Sequence, residues 1–398
     1  MTRGPRWWSS TTLLVVAIAM LGPLDTPPLG PALPAIAEQF SLSPARAGLV
    51  ITAYAAPGMV FAPIIGSLAD RYGRRRVLVP CLFGYGLAGL AVGSVASFPA
   101  VLSLRAVQGV VGGSILTSLA YAVVGDLFEG SARTGAMGLT TAGASVTAAL
   151  APAMGGWLAA QAWNAPFALY GTSLLVGVAA LFWLPEPVSA GGRSQTDGVR
   201  AYLVDAVEAV PTRPALGVYG ACLLGYTLFF GGVLTGVTFL LDGRFGLGTA
   251  AIGALVTGAT MVTAVVALLS GRFASVAPAE TLLPLGIVLE GVGLVVAGVA
   301  GWLGADTSLA LPLLGAGLVA FGSGFGLFQP ALASLLAKLG PERVRGGVMS
   351  LRTSVLLAGQ AISAPLFTLS ALVLGYDGVL VVAGMLGGLA GALWLRRR

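Results

Sequence analysis

Four charged residues stand inside long apolar stretches of this 398-residue sequence: Asp25, Arg105, Glu290 and Arg352. On insertion scales, a charge at the centre of a membrane helix costs about 2.5–3.5 kcal/mol, so each needs a chemical reason to be there. Two of the four are carboxyls, and the chain has no histidine. Any proton carried through the apolar region therefore has to ride on a carboxyl group. Asp25 is the first candidate. It lies about 13 residues into the first apolar run, roughly 20 Å along a helix, where Pro27, Pro28, Pro31 and Pro34 can open backbone carbonyls toward a cavity. Burial disfavours a charged carboxylate and a nearby cation favours it. Arg105 is expected in the same leaflet, so proton carriage and a purely structural Asp25–Arg105 pair are both open. For Glu290 a titrating role and a local pairing role are equally open.

The elements that must position these residues follow from composition. The chain is 57% hydrophobic and 9% charged, with 59 glycines. About a quarter of a soluble chain is charged, which excludes a soluble globular protein, and so much apolar side chain excludes disorder. Barrel strands would alternate apolar and polar, whereas these runs are apolar on every side. The sequence predicts an all-α membrane protein with twelve transmembrane helices. Apolar runs lie near 12–36, 45–69, 77–97, 99–124, 134–160, 165–185, 214–241, 249–270, 279–303, 307–336, 345–374 and 378–395. With a cytoplasmic N-terminus, 17 of the 21 Lys and Arg residues fall on the inner side, which predicts that both termini are cytoplasmic. The same bias accounts for the net charge of +6, and no nucleic acid is expected because no stacking aromatics accompany the basic residues. Arg3 and Arg6 before an apolar run resemble a signal peptide, but the proline-rich continuation and eleven further runs predict an uncleaved first helix. Cys81 and Cys222 lie in apolar runs and support neither a disulfide nor a metal site.

A polar loop at 186–213 divides the chain into an N-terminal six-helix bundle, 1–185, and a C-terminal one, 214–398. The halves resemble one another. Arg133-Thr-Gly-Ala-Met-Gly-Leu-Thr-Thr141 and Arg345-Gly-Gly-Val-Met-Ser-Leu-Arg-Thr353 share five of nine residues at an offset of 212. Two parallel, pseudo-symmetric repeats around a central site are predicted.

The loop after the second run reads Gly66-Ser-Leu-Ala-Asp70-Arg71-Tyr-Gly73-Arg74-Arg75-Arg76. It resembles the signature loop of the major facilitator superfamily, G-x-x-x-D-R-x-G-R-R. Leu21-Gly22 with Pro28-Leu-Gly-Pro31, and an overlapping Pro31-Ala-Leu-Pro34, resemble a first-span element of the twelve-span drug/proton antiporter branch. Arg105, Gln108 and Gly109 resemble the superfamily's R-x-x-Q-G motif. Gly138, Pro152, Gly155 and Gly156 match the antiporter element of the fifth span, although Thr147 and Ala151 replace two of its glycines.

The resemblance implies the major facilitator fold in the plasma membrane and proton-coupled export of lipophilic neutral or cationic drugs by alternating access. Asp25, Arg105 and Glu290 would couple protons. Asp25, Gln108, Tyr226, Phe229, Phe230, Phe325, Phe328 and Gln329 would line the substrate cavity. Gly66, Asp70, Arg71, Gly73, Arg74 and Arg75 would form the gating motif, with Arg352 approaching Asp70 in the outward-facing state. The partners expected are the bilayer, protons and a small lipophilic substrate, with a monomer as the working state. A facilitator or symporter of a sugar or organic anion anchored on Arg105, and a non-transporting receptor or scaffold, are the alternatives. No phosphate-binding G-x4-G-K-[ST] loop, nucleophile–base set or metal-ligand cluster occurs, so neither an enzyme nor a cofactor is expected.

Overall fold

The computed structural model describes residues 9–186, 213–339 and 345–396. Most of the expected polar linker at 186–213 lies outside them. Every regular element among the described residues is helical, as hydrocarbon demands of a chain whose backbone groups must be satisfied internally. Nine of these helices are long and apolar enough to cross a membrane. The last, Leu351–Arg396, is 46 residues long and turns at Gly375, where φ is 70° and ψ 166°. It therefore supplies both the eleventh and the twelfth expected passages. Two expected passages fall outside the nine. The fifth, Gly130–Ala159, is a 30-residue helix rich in Gly, Ser and Thr. The first breaks after Ser10–Met20 into a short 3-10 turn, Gly22–Leu24, and resumes at Leu33–Gln39. Pro23, Pro27, Pro28 and Pro31 cause that break, because each lacks an N–H and clashes with the preceding turn.

Two further irregularities lie in the fourth and seventh passages. Phe98–Val111 and Gly113–Leu127 are separated by Gly112, which is extended at φ −66° and ψ 175°. The seventh changes from α-helix, Arg213–Thr227, to a ten-residue π-helix, Leu228–Val237, and back to α-helix at Thr238–Phe245. All ten π residues are buried, and the Thr235 hydroxyl donates to the Phe230 carbonyl at 2.9 Å.

The contacts sort into two compact units. The first comprises Met1–Thr26, Ala53–Ala148 and Phe167–Asp205. Within it the third helix, Arg74–Val92, packs on the fourth and on the sixth, Thr172–Trp183, and the Ser173 hydroxyl donates to the Leu82 carbonyl at 2.7 Å.

The second unit comprises Pro27–Thr52, Ala149–Pro166 and Ala206–Arg398. The ninth helix, Ala279–Leu303, is its centre. It crosses the tenth, Ala310–Lys338, at Gly286/Gly324 and Gly293/Gly317, and the twelfth passage at Gly291/Gly384. The end of the fifth helix joins this unit against the eighth, Thr249–Leu268. At Pro152 the helical ladder is interrupted, and threonines of the eighth helix answer it. Ala153 donates its N–H to the Thr257 hydroxyl at 2.8 Å, while Thr260 donates to the Ala149 carbonyl at 2.9 Å.

The glycines around Pro152 differ in what they permit. A Cβ on Gly155 would collide with the Pro28 carbonyl, and one on Gly156 would meet the Thr249 carbonyl and lie 2.9 Å from the Gly253 Cα. Gly138 has nothing within 4 Å. Gly156→Ala is therefore expected to lower thermal stability in detergent by about 1–3 kcal/mol, the usual range for overpacking. Gly138→Ala should leave the melting temperature at or slightly above that of wild type, since alanine favours helix over glycine. Equal melting temperatures for the two variants would contradict this packing.

Candidate functional site

The break in the first passage places Asp25 in the interior of the first unit, 5% exposed. Glycines on the surrounding helices make this possible. A Cβ on Gly22 would overlap the Thr117 side chain, and one on Gly113 would sit 2.8 Å from the Leu21 carbonyl, so the first and fourth passages meet at backbone distance. The Asp25 carboxyl is thereby set against Ser114, which follows the Gly112 break. A Cβ on Gly109 would collide with the Tyr54 carbonyl, so the glycine of the R-x-x-Q-G motif lets the second helix, Pro44–Tyr72, lean on the fourth. Gly89 of the third helix leaves room for Tyr170 and for the Gln108 amide.

Asp25 is engaged through two different groups. Its Oδ2 accepts from the Ser114 hydroxyl at 2.7 Å and from the Tyr54 hydroxyl at 3.2 Å. Its backbone carbonyl accepts from Arg105 Nη2 at 2.9 Å and from the Tyr170 hydroxyl at 3.1 Å. Arg105 is fully buried. Its Nη1 donates to Gln108 Oε1 at 2.9 Å and to the Tyr170 hydroxyl at 3.2 Å, and its guanidinium lies over the Tyr54 ring, 4.6 Å from the centroid. Gln108 in turn donates to the Tyr85 carbonyl at 3.2 Å. The Tyr85 hydroxyl is buried with no hydrogen-bond partner among the described residues. Proximity of Asp25 and Arg105 was legible in the sequence. The partners Tyr54, Ser114, Tyr170 and Tyr85 were not singled out, although polar residues inside apolar runs are the signal that could have found them.

The arginine-rich loop forms a second cluster in the same unit. Gly73 adopts φ 107°, which joins the second helix to the third without a spacer. Arg74 pairs with Asp70 at 2.5 Å and with Asp126 at 3.0 Å. The N–H of Arg75 donates to the Glu186 carboxylate at 3.3 Å, and its guanidinium reaches the Leu181 carbonyl. Arg71 lies over the neighbouring Tyr72 ring, 5.4 Å from the centroid. Gly66 has open space about it. Asp126 and Glu186 complete this loop, and neither was picked out by the motif.

The aromatic residues expected to line a cavity lie in the second unit, packed on one another. Phe229 stacks on Phe325 at 4.6 Å, Phe325 on Phe328 at 5.7 Å and Tyr226 on Phe230 at 6.3 Å. Tyr226, Phe229, Phe230, Phe325 and Phe328 are all buried, and Gln329 is half-buried. Arg352 donates to the Tyr226 hydroxyl at 3.0 Å. Glu290 is fully buried.

Broken helices around buried, hydrogen-bonded charges define a polytopic helical membrane protein of the secondary-transporter class. The sequence profile described as Major Facilitator Superfamily matches residues 7–289. The 3-(3-hydroxy-phenyl)propionate transporter of Escherichia coli (strain K12) is 30% identical over 318 residues, 75% of this chain and 76% of that protein. The tetracycline resistance protein, class B, of Escherichia coli is 24% identical over 291 residues, 71% of each. The crystal structure of a D-xylose-proton symporter superposes with a TM-score of 0.76 at 15% identity, covering 96% of both chains. The chain belongs to the Major Facilitator Superfamily and is a transporter, not an enzyme.

The guanidinium fork makes a direct prediction. Arg105→Met would orphan the buried Gln108 Oε1, at about 1–3 kcal/mol, and leave the Asp25 carbonyl with the Tyr170 hydroxyl alone. Thermal unfolding of the purified variant should show a melting temperature several degrees below wild type. Arg105→Lys, which lacks the planar fork, should fall between the two. A wild-type melting temperature for Arg105→Met would mean that the guanidinium is not what holds the break.

Proposed function

We propose that this transporter exports lipophilic neutral or cationic compounds in exchange for protons, with Asp25 as the carrier. It would act as a monomer in the plasma membrane with both termini cytoplasmic. The observation that carries the reading is the pair of hydroxyls on the Asp25 carboxyl. A hydroxyl donates to a carboxylate and, after rotation, accepts from a carboxylic acid. Ser114 and Tyr54 therefore hold the group in either state. Arg105 is anchored on the backbone carbonyl of the same residue and stays in place as the carboxyl changes. Protonation is thus uncoupled from the integrity of the helix break, as a carrier that cycles requires. Similarity to a tetracycline resistance protein supports a drug-like substrate.

Carriage of an organic acid is the second reading. It is favoured by the named substrate of the 30%-identical relative and by Arg352 beside Tyr226, since arginine pairs well with carboxylates.

Proteoliposomes loaded with a pH-sensitive dye separate these readings. An outward gradient of a lipophilic cation such as ethidium should drive counterflow of protons in wild type, and Asp25→Asn should reduce that flux at least tenfold while leaving the fold intact. Proton flux unchanged in Asp25→Asn would place the carrier elsewhere. Uptake of 3-phenylpropionate with no proton response to ethidium would establish the second reading.

A further inference from the structure

Glu290 is a buried acid of the second unit that the proposed cycle does not use and that, unlike Asp377, no arginine answers among the described residues. It is 0% exposed, and neither carboxyl oxygen has a hydrogen-bond partner among the described residues. Buried polar groups in folded proteins are nearly always paired, so this orphan needs an explanation. Helical spacing shows where it points. Leu283, Ile287 and Leu294 are buried on the same face of the ninth helix, and Leu294 is the side chain that Gly232 of the seventh helix accommodates. Gly324 of the tenth helix lies against the Glu290 backbone. The carboxyl is thus directed between the seventh and tenth helices, which supply the rings of Tyr226, Phe229, Phe230, Phe321, Phe325 and Phe328 to one apolar core.

Among the described residues, the groups around it leave it without a charged partner of its own. From the seventh helix the Tyr226 hydroxyl is within electrostatic reach of Glu290 and is engaged by Arg352 of the eleventh. The tenth helix has only Lys338 as a titratable residue, at its far end and paired with Glu280 at 3.1 Å. The twelfth contributes Tyr376, Asp377 and Arg396, with Asp377 paired to Arg244 at 2.8 Å. A carboxyl directed toward an aromatic cluster offers both an ionic contact and, from the rings, cation–π attraction. Two of the rings sit on an irregular segment. Phe229 and Phe230 belong to the π-helix Leu228–Val237, and π segments inside helices occur mostly at functional sites.

We propose that Glu290 and this aromatic cluster form a binding site for a lipophilic ammonium ion, opened by movement of the π segment. The acid holds a proton while the cluster is closed. On opening it releases that proton to water and pairs with the ligand's cationic head while the rings receive its apolar body. The inference rests on the reading of the protein as a carrier of lipophilic cations, and it names the acid that selects them.

Equilibrium binding tests it apart from proton flux. Fluorescence anisotropy of ethidium with wild-type protein in nanodiscs should show affinity falling as pH drops from 8 to 6. Glu290→Gln, close to the protonated acid in shape, should weaken ethidium binding at least tenfold and abolish the pH effect. Binding of the neutral probe N-phenyl-1-naphthylamine should stay within twofold. Wild-type ethidium affinity in Glu290→Gln, or equal loss of both probes, would overturn the proposal, as would tighter binding of 3-phenylpropionate without loss of ethidium. A measurement on the unmutated site guards against misfolding of the variant. Dicyclohexylcarbodiimide should label Glu290, and ethidium should protect it, in wild type and in Asp25→Asn alike. Labelling that ethidium does not reduce would equally overturn the site. Because Asp25→Asn tests coupling and Glu290→Gln tests binding, failure of either reading leaves the other result standing.

Discussion

A backbone carbonyl released inside a membrane has no water to turn to, and the carbonyl of Asp25 is such a group. Pro27 and Pro28 break the helix just after it, so the N–H of Leu29, its partner in a continuous helix, is no longer aimed at it. The deficit is met by Arg105 and by the hydroxyl of Tyr170. Much of the first unit follows from this one requirement. A guanidinium inside the bilayer needs acceptors and an aromatic face, so Gln108, Tyr170 and Tyr54 surround it. Bringing Tyr54 that close needs a helix contact at backbone distance, so residue 109 has no side chain. The carboxyl of Asp25 is left to Ser114 and Tyr54, partners that can serve either protonation state.

The second unit solves the same problem without charge. Hydrocarbon provides no hydrophobic force between helices, so association rests on close packing and polar contacts. Paired glycines let the ninth helix touch the tenth and twelfth backbone to backbone, and side-chain hydroxyls repair irregular ladders. Thr257 and Thr260 do so at Pro152, and Thr235 does so within the π-helix. The antiporter-like element of the fifth span is therefore a packing device here, since Gly155 and Gly156 are sites of contact with Pro28 and Gly253. Ala151, which replaces one of that element's glycines, is fully buried, so the site tolerates a methyl group.

The helical class and the positions of nearly all passages were legible because apolar length is a one-dimensional property. The nearness of Asp25 and Arg105 was legible for a related reason: depth in the bilayer can be counted along the chain. Which atom of Asp25 meets Arg105 was not, because that depends on where the first helix breaks, and five prolines between 23 and 34 leave several positions possible. The π-helix was invisible, since Leu228–Val237 reads as an ordinary apolar run. The aromatic residues were found as a set, but their packing state was not, because stacked rings and cavity-lining rings have the same spacing. Glu290 was expected inside an apolar run, with titration and local pairing both left open. The glycines that bury it, Gly286 and Gly324, lie on two helices whose register no periodicity reveals.

The two intramembrane acids differ in a way that bears on how a carrier can be built. Asp25 has hydroxyl partners, so its proton can come and go with only a rotation of those groups, and the surrounding helices need not separate. Glu290 has none, so ionising it where it stands would leave a charge in an aromatic core with no donor to meet it, a cost of several kcal/mol. Its charge can therefore appear only together with a rearrangement that admits water or a cation. An acid of the first kind exchanges protons within one arrangement of the helices, whereas an acid of the second kind ties its charge to a change of arrangement. Proton-coupled carriage of the kind proposed for this chain would need both properties, and the two fall on different residues.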